Sequence, residues 1–425
     1  MKTKKLFSAV LFSYLILCTS YSSFSQVIAG GVYHSLTRCS DGKVRACGYN
    51  FPGQLGDGTN TDQSTPVQVT SLGNTVSTVA AGLLHSLFLK NDGTVWACGE
   101  NGYYQLGDGT NTNKNTPVQV TSLGTTVTAI AAGWYHSLFL KNDGTVWACG
   151  ENADGQLGDG TNTSKNTPVL VTSLGTTVTA VAAGWGHSLF LKNDSTVWAC
   201  GDNSFGELGD GTGIGRTTPV QVTSLGTTVT AIAVGEYHSL FLKNDGTVWA
   251  CGDNFFGELG DGTNTGKNTP VQVSSLANTV TAVAAGGVQS LFLKNDSTVW
   301  ACGDNYYGQL GDGTTTDRST PVQMNTCLVV TGIPIEAVYI GNLEVLNIYP
   351  SFANDEVTAL IHSEQYTIAT AEAFNLMGQK VYEKNISLQK GYTKLKIPVS
   401  QWANGEYLFS ITLPNKERVH KLFMK

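Results

Sequence analysis

The string Val-Trp-Ala-Cys-Gly recurs with its cysteine at Cys98, Cys149, Cys200, Cys251 and Cys302, and a first copy, Val-Arg-Ala-Cys-Gly, sets it at Cys47; every step is 51 residues. A period of this length means stacked supersecondary units, each burying its apolar faces against its neighbours.

The second copy shows the internal order. Val76 to Ala81 is an apolar run ending at a glycine corner, Gly82, and His85 to Lys90 is the next run. Asn91-Asp92-Gly93 separates it from Thr94 to Gly99, and a D-G pair between β-branched or aromatic runs is a strong hairpin signal. Pro117 to Val120 reads as a fourth short strand. Four short strands per unit, with no helical periodicity, predict a blade. The fold class expected is therefore all-β: a six-bladed β-propeller of four-stranded blades over 26–325.

Composition narrows the function classes. Only 13% of residues are charged, 49 are glycine, 41% are apolar and the net charge is −7. The basic residues are dispersed, so no footprint for a phosphate backbone exists and nucleic acid is not expected as a partner. Lys2, Lys4 and Lys5 precede an apolar run from Leu6 to Leu17, which predicts a signal peptide over 1–25, cleaved before Gln26. Lipidation at Cys18 is the rival, disfavoured because Leu17 stands where a small residue is needed. The run is too short to span a bilayer, and no later segment reads as a span.

The phrases A-A-G-x-x-H-S-L-F-L, D-G-x-V-x-x-x-G-x-N and G-Q-L-G-D-G resemble the regulator of chromosome condensation repeat over about 300 residues. The family usually has tryptophan where this chain repeats cysteine; here the aromatic stands two residues earlier, as at Trp96 and Trp147. The family's founding nucleotide-exchange activity is a less favoured implication for an exported acidic chain.

Residues repeated in every blade are read first as scaffold. His34, His85, His136, His187 and His238, with Gln289 at the sixth place, are expected to hydrogen-bond backbone at the glycine corner, a metal or catalytic role being the alternative. Asp57, Asp108, Asp159, Asp210, Asp261 and Asp312 stand beside glycine as tight turns require, with calcium ligation the weaker reading. Ser195 and Ser297 replace the hairpin glycine, which points to Asn193 and Asn295 as the residues that ease the left-handed turn. The repeated cysteines read as small buried thiols between blades, and no metal or cofactor is expected. Cys39 and Cys327 break the period and are a candidate disulfide fastening the ring.

What differs between near-identical copies is where function is sought. The pair before His-Ser and the pair after the C-G-x-N turn change in every unit, fall in loops and favour aromatics. Tyr33, Leu84, Trp134, Tyr135, Trp185 and Tyr237 from the first pair, and Tyr103, Phe205, Phe256 and Tyr307 from the second, are the candidate partner-binding residues. Packing against neighbouring loops is the competing reading. The positions are similar to those with which a secreted inhibitor branch of the family holds its target, which implies a protein partner. A carbohydrate partner or surface adhesion is the alternative. No unique Ser/His/Asp set or carboxylate pair occurs, and Glu236 and Asp154, in different blades, give no reason to be paired, so no enzyme is expected.

After a linker at 326–338 the composition changes, and 339–425 reads as a small antiparallel β-sandwich with turns at Met377-Gly378 and Asn404-Gly405. Asn-Ile-Tyr-Pro at 347–350, Asn375 to Val381, Asn404 to Tyr407 and the ending Lys421 to Lys425 resemble the type A sorting domain of the type IX secretion pathway, although Ser351-Phe352 replace the usual Asn-Pro after the proline-bearing turn begins. An adhesive sandwich is the alternative. The resemblance implies engagement of the secretion machinery and a secreted or outer-surface location; a monomer is expected.

Overall fold

The computed structural model describes residues 27–39, 41–324, 343–349, 356–363, 365–375, 379–402, 406–414 and 418–424. The signal segment, the linker with Cys327, and the turns at Met377-Gly378 and Asn404-Gly405 lie outside the described residues. Two compact units divide the chain, 1–326 and 327–425. Among the described residues no helix is long and apolar enough to cross a membrane.

The first unit is a six-bladed β-propeller. Each blade is a four-stranded antiparallel meander in chain order, as in blade two: Val76–Ala81, His85–Lys90, Val95–Gly99 and Lys114–Gln119. The fourth strand starts earlier than its sequence suggests and stops at Gln119. Pro117 is tolerated because this strand lies at the sheet edge, where a missing N–H breaks no ladder. Val120 instead leads into a 3-10 turn, Thr121–Leu123, that carries the chain to the next blade and buries Leu123.

Apolar clusters weld each blade to its successor. Leu36, Val44, Ala46, Leu55, Val69 and Leu72 of blade one or its exit turn meet Val76, Val79, Phe88 and Cys98 of blade two, and the same set recurs through blades five and six. Fully burying one such Leu or Phe contributes about 1.5–3 kcal/mol. Among the described residues no such cluster joins blade six to blade one. Blade one has Thr37 where Phe88 and its counterparts stand, and its Ser35 is exposed. Leu291 and Val299 of blade six are only half-buried, whereas Leu240 and Val248 of blade five are sealed.

The second unit packs a three-stranded sheet, Leu343–Tyr349, Glu356–Ser363 and Gly391–Pro398, against a four-stranded one formed by Thr367–Asn375, Lys380–Leu388, Glu406–Thr412 and Arg418–Met424. Val357, Ala359, Ile361 and Ile397 of the first sheet and Ala371, Ala373, Phe409 and Ile411 of the second share one core. Alternate residues are buried along Thr367–Asn375 (Ala369, Ala371, Ala373), Gly391–Pro398 (Leu395, Ile397) and Glu406–Thr412 (Tyr407, Phe409, Ile411), the pattern of a sandwich.

Candidate functional site: an aromatic and acidic loop face

The repeated polar residues have structural work that spans blades. Ser86 Oγ donates to the Gln54 carbonyl at 2.7 Å, so its proton is committed. His34 Nε2 lies 2.8 Å from that Oγ and therefore carries the proton it donates. The latch runs from blade one to blade two and back, and Cys98 Sγ reaches the same carbonyl at 3.5 Å. His85 with Ser137, His136 with Ser188, His187 with Ser239 and His238 with Ser290 repeat it. The histidines are thus structural, but their partner is the next blade's serine, not backbone at the glycine corner. The corner serves by close approach: a Cβ at Gly31 would stand 2.6 Å from His34 Cε1. Burial drives His34, His85, His136 and His187 down to about 3 and His238 to about 4, so all five are neutral.

The turn aspartates are likewise occupied. Asp108 Oδ1 accepts from Thr110 N, Thr110 Oγ1 and Asn101 Nδ2, while Lys114 stands 3.5 Å from Oδ2. In blades four and six arginine replaces the lysine, at 2.7 Å from Asp210 and Asp312. Ser195 and Ser297 do adopt φ of 64° and 66°. The residue that braces each turn is the aspartate, not Asn193 or Asn295: Asp194 Oδ1 takes Thr196 N at 3.0 Å and Oγ1 at 2.6 Å. The repeated cysteines Cys98, Cys149, Cys200, Cys251 and Cys302 are buried between blades, whereas Cys47 is half-buried. Cys39 receives Arg45 Nη1 at 2.9 Å, and its suggested partner Cys327 is not among the described residues.

The variable loops tell a different story. Six rings form one continuous chain across blades two to five. Tyr103 meets Tyr135 at 4.5 Å between ring centres, Tyr135 meets Trp134 at 6.4 Å, and Trp134 meets Trp185 at 6.3 Å. Trp185 then meets Tyr237 at 5.2 Å, and Tyr237 meets Phe205 at 5.0 Å. These separations are those of favourable edge and tilted aromatic pairs. Tyr103 and Phe205 are exposed and the other four half-buried. Phe256 and Tyr307 pair instead with Phe255 and Tyr306, at 4.9 and 4.8 Å, and Tyr33 with Tyr49 at 6.1 Å. Leu84 makes no part of this chain. Phe51, Phe255 and Tyr306, each 72% exposed, are the most open described aromatics of the propeller; none is among the sequence candidates, though each is the first member of a variable pair.

Carboxylates interleave with these rings. Asp154 of blade three and Asp202 of blade four converge over Gly186: a Cβ there would lie 3.3 Å from Asp154 Oδ2 and 3.4 Å from Asp202 Cβ. Asp202 and Asp253 are close enough to act on the Glu207 carboxyl, and Asp253 on that of Glu236. Asp154 and Glu236, left unpaired by their separation in sequence, are therefore two points on one acidic arc. Burial and these neighbours push Glu207 and Glu258 up to about 7, and Tyr237, buried beside Glu236, up to about 12. Glu207 Oε2 accepts from Phe205 N at 2.9 Å, while its buried Oε1 has no partner. In blades two and six a glutamine stands at this place and donates to the neighbouring acid, Gln105 to Glu100 and Gln309 to Asp304.

The propeller's basic side chains are engaged elsewhere. Lys90, Lys141, Lys192, Lys243 and Lys294 lie 4.3–4.5 Å over Trp96, Trp147, Trp198, Trp249 and Trp300, and others hold the turn aspartates. Among the described residues no ion pair reaches Asp154, Asp202, Glu207, Glu236 or Asp253. The axis offers no comparable site. Its cavity, ringed by the corners Gly31, Gly82, Gly133, Gly184, Gly235 and Gly286, holds about 70 Å³, room for a few waters.

These blades, latches and loops define a repeat propeller whose loops vary from blade to blade and carry aromatic and acidic residues. The chain belongs to the RCC1-like domain family, which it matches over residues 73–346, with a separate RCC1 repeat match at 41–89. Residues 347–425 match the secretion system C-terminal sorting domain. The chain is 34% identical over 314 residues to the human E3 ubiquitin-protein ligase HERC2, covering 72% of this chain but only 6% of that protein. It is 32% identical to the mitochondrial RCC1 domain-containing protein RUG3 of Arabidopsis thaliana, covering 72% and 71%. The ultraviolet-B receptor UVR8 of the same plant is 29% identical over 70% of this chain and 69% of its own. Among solved structures, human WBSCR16 superposes with a TM-score of 0.65 at 25% identity over 73% and 83%. Prp20p of Saccharomyces cerevisiae gives 0.64 at 24% over 71% and 77%, a likeness of fold. The sorting domain assigns the protein to export, at the cell surface or beyond it.

Proposed function

We propose that this exported propeller is a binding scaffold that holds an extracellular protein through its aromatic loop face, with the C-terminal domain serving delivery by the type IX secretion machinery. The observation that carries the reading is the unbroken run of rings from Tyr103 to Phe205 over four blades. Rings braced by one another lose little freedom on binding and present large contact area, which is how hot spots form. The repeated histidines and aspartates are committed to the scaffold, which leaves the loops as the variable, available chemistry.

A pull-down from extracellular and cell-surface protein, comparing the full chain with Trp134→Ala and Trp185→Ala, tests this. Both changes should abolish capture while leaving a cooperative thermal transition, because neither ring belongs to the buried apolar clusters that weld the blades. Capture untouched by either change refutes the aromatic face. Carbohydrate recognition uses the same rings as stacking platforms, and a glycan array run beside the pull-down separates the two.

A further inference from the structure

We infer that the partner's contact segment presents a lysine or arginine side chain to this face, seated against Trp185 among Asp154, Asp202, Glu207, Asp253 and Glu236. The inference rests on the aromatic face being the binding surface and adds the charge of what it binds.

Three independent observations converge. The first is uncompensated charge: carboxylates from three blades are brought together, and no ion pair among the described residues reaches them. A cation supplied by a partner would relieve their mutual repulsion, which gives electrostatic complementarity a direct part in selecting that partner. The second is Glu207 itself. It is buried, one oxygen satisfied by Phe205 N and the other, Oε1, with none. Blades one to three have Gln54, Gln105 and Gln156 at this place, and Gln105 donates its amide to Glu100. In blade four an acid takes the place of that amide, so a further carboxylate stands beside Asp202 where blade two has a donor; Gln54 and Gln156 likewise have buried amide atoms without a partner. The third is the place of Trp185, whose backbone N–H bonds the Glu236 carbonyl at 3.3 Å and which directly precedes Gly186, where Asp154 and Asp202 converge; a tryptophan ring attracts an ammonium or guanidinium within about 6 Å of its centre.

The groups around Glu207 fix how binding responds to pH. Asp202, Asp253, Tyr237 and the neutral thiol of Cys251 act on or are acted on by it, Glu236 is linked to it through Asp253 and Tyr237, and His187 and His238 are neutral in their latches. Glu207 therefore holds a proton more readily than an ordinary glutamate, and a bound cation expels that proton. Affinity should rise as pH is raised from 6 to 8.

The probe is a fluorescent hexa-arginine peptide, titrated by anisotropy into the full chain, with hexa-glutamate and cellohexaose as comparison probes. Hexa-arginine should bind, more weakly as salt rises. The Asp202→Asn/Glu207→Gln/Asp253→Asn variant should lose about tenfold or more in affinity. Glu207→Gln alone, which restores the residue of blades one to three, should weaken binding, flatten its pH response and leave the melting curve of a folded propeller. Equal binding of hexa-arginine by wild type and triple variant overturns the inference, as does equal binding of hexa-glutamate or preference for cellohexaose. If the charge variants keep hexa-arginine while Trp185→Ala loses it, the charge inference falls and the aromatic face stands. If both tryptophan changes leave partner capture intact, the aromatic face itself is refuted.

Discussion

The five buried histidines make the propeller sensitive to mild acid, and a single substitution isolates the effect. Each imidazole is neutral in the folded blade and drops to about 3 or 4, against 6.5 when free. A depressed pKa contributes stability that is full above 6.5 and is lost as pH falls toward the folded value, because the unfolded chain takes up protons that the folded one refuses. At pH 5 the gap opened for one histidine is about 1.5 pH units, or about 2 kcal/mol at 1.36 kcal/mol per unit. Five such residues sum to about 10 kcal/mol. Glu207 and Glu258 act in the opposite sense: their raised values, about 7, add stability as pH falls toward 5, by about 2 kcal/mol each. Glu100, Glu151, Asp154 and Glu236 are also raised and oppose the loss in the same way, so the net loss between pH 7 and pH 5 is smaller than the histidine sum. His136→Gln tests the cause, since Gln289 shows that the site accepts glutamine. Denaturant unfolding of the full chain at both pH values, followed by tryptophan fluorescence, should give the variant a pH-dependent loss smaller by about 2 kcal/mol. Identical losses in variant and parent would refute the claim that the latch histidines stay neutral.

Two further outcomes follow from the same latch. Ser137→Ala removes both the donor to the Gln105 carbonyl and the acceptor of His85, so denaturation should show a loss of about 2–3 kcal/mol from the stranded buried groups; a change within a few tenths would contradict the bond pattern. Cys98, Cys149, Cys200, Cys251 and Cys302 are buried with their thiols pushed upward by desolvation, so iodoacetamide followed by peptide mass spectrometry should leave them unmodified until the chain is unfolded. Labelling of any of them in the native protein at the rate of a free thiol would mean the blades open locally.

The propeller was legible because its signals are local and repeated: β-branched runs, Asp-Gly turns and glycine corners fix each meander without knowledge of the neighbours. The latch was not. His34 and Ser86 are 52 residues apart in sequence, and nothing about a serine after a histidine announces that it serves the histidine of the blade before. The acidic arc was hidden differently. Glu100, Glu151, Asp202, Asp253 and Asp304 recur in register after the Cys-Gly pair, so nothing in the sequence marks one of them out, and only the curvature of the ring brings Asp202 to Asp154 and Asp253 to Glu236. Six of the nine aromatic candidates join one chain of contacts, because loop residues are placed by the angle between blades, which sequence spacing does not encode.

The latch also has a direction. Blade one reaches forward with His34, and blade two answers with Ser86 and Cys98 onto a carbonyl that blade one already holds out. A chain threaded through a pore with its N-terminus leading would find a finished docking surface at each step, so the ring can assemble by accretion, one blade upon the last, without waiting for its far end. Among the described residues no apolar cluster joins the first and sixth blades; growth would start and stop there, and local fraying should begin there, well away from the rings of blades two to five.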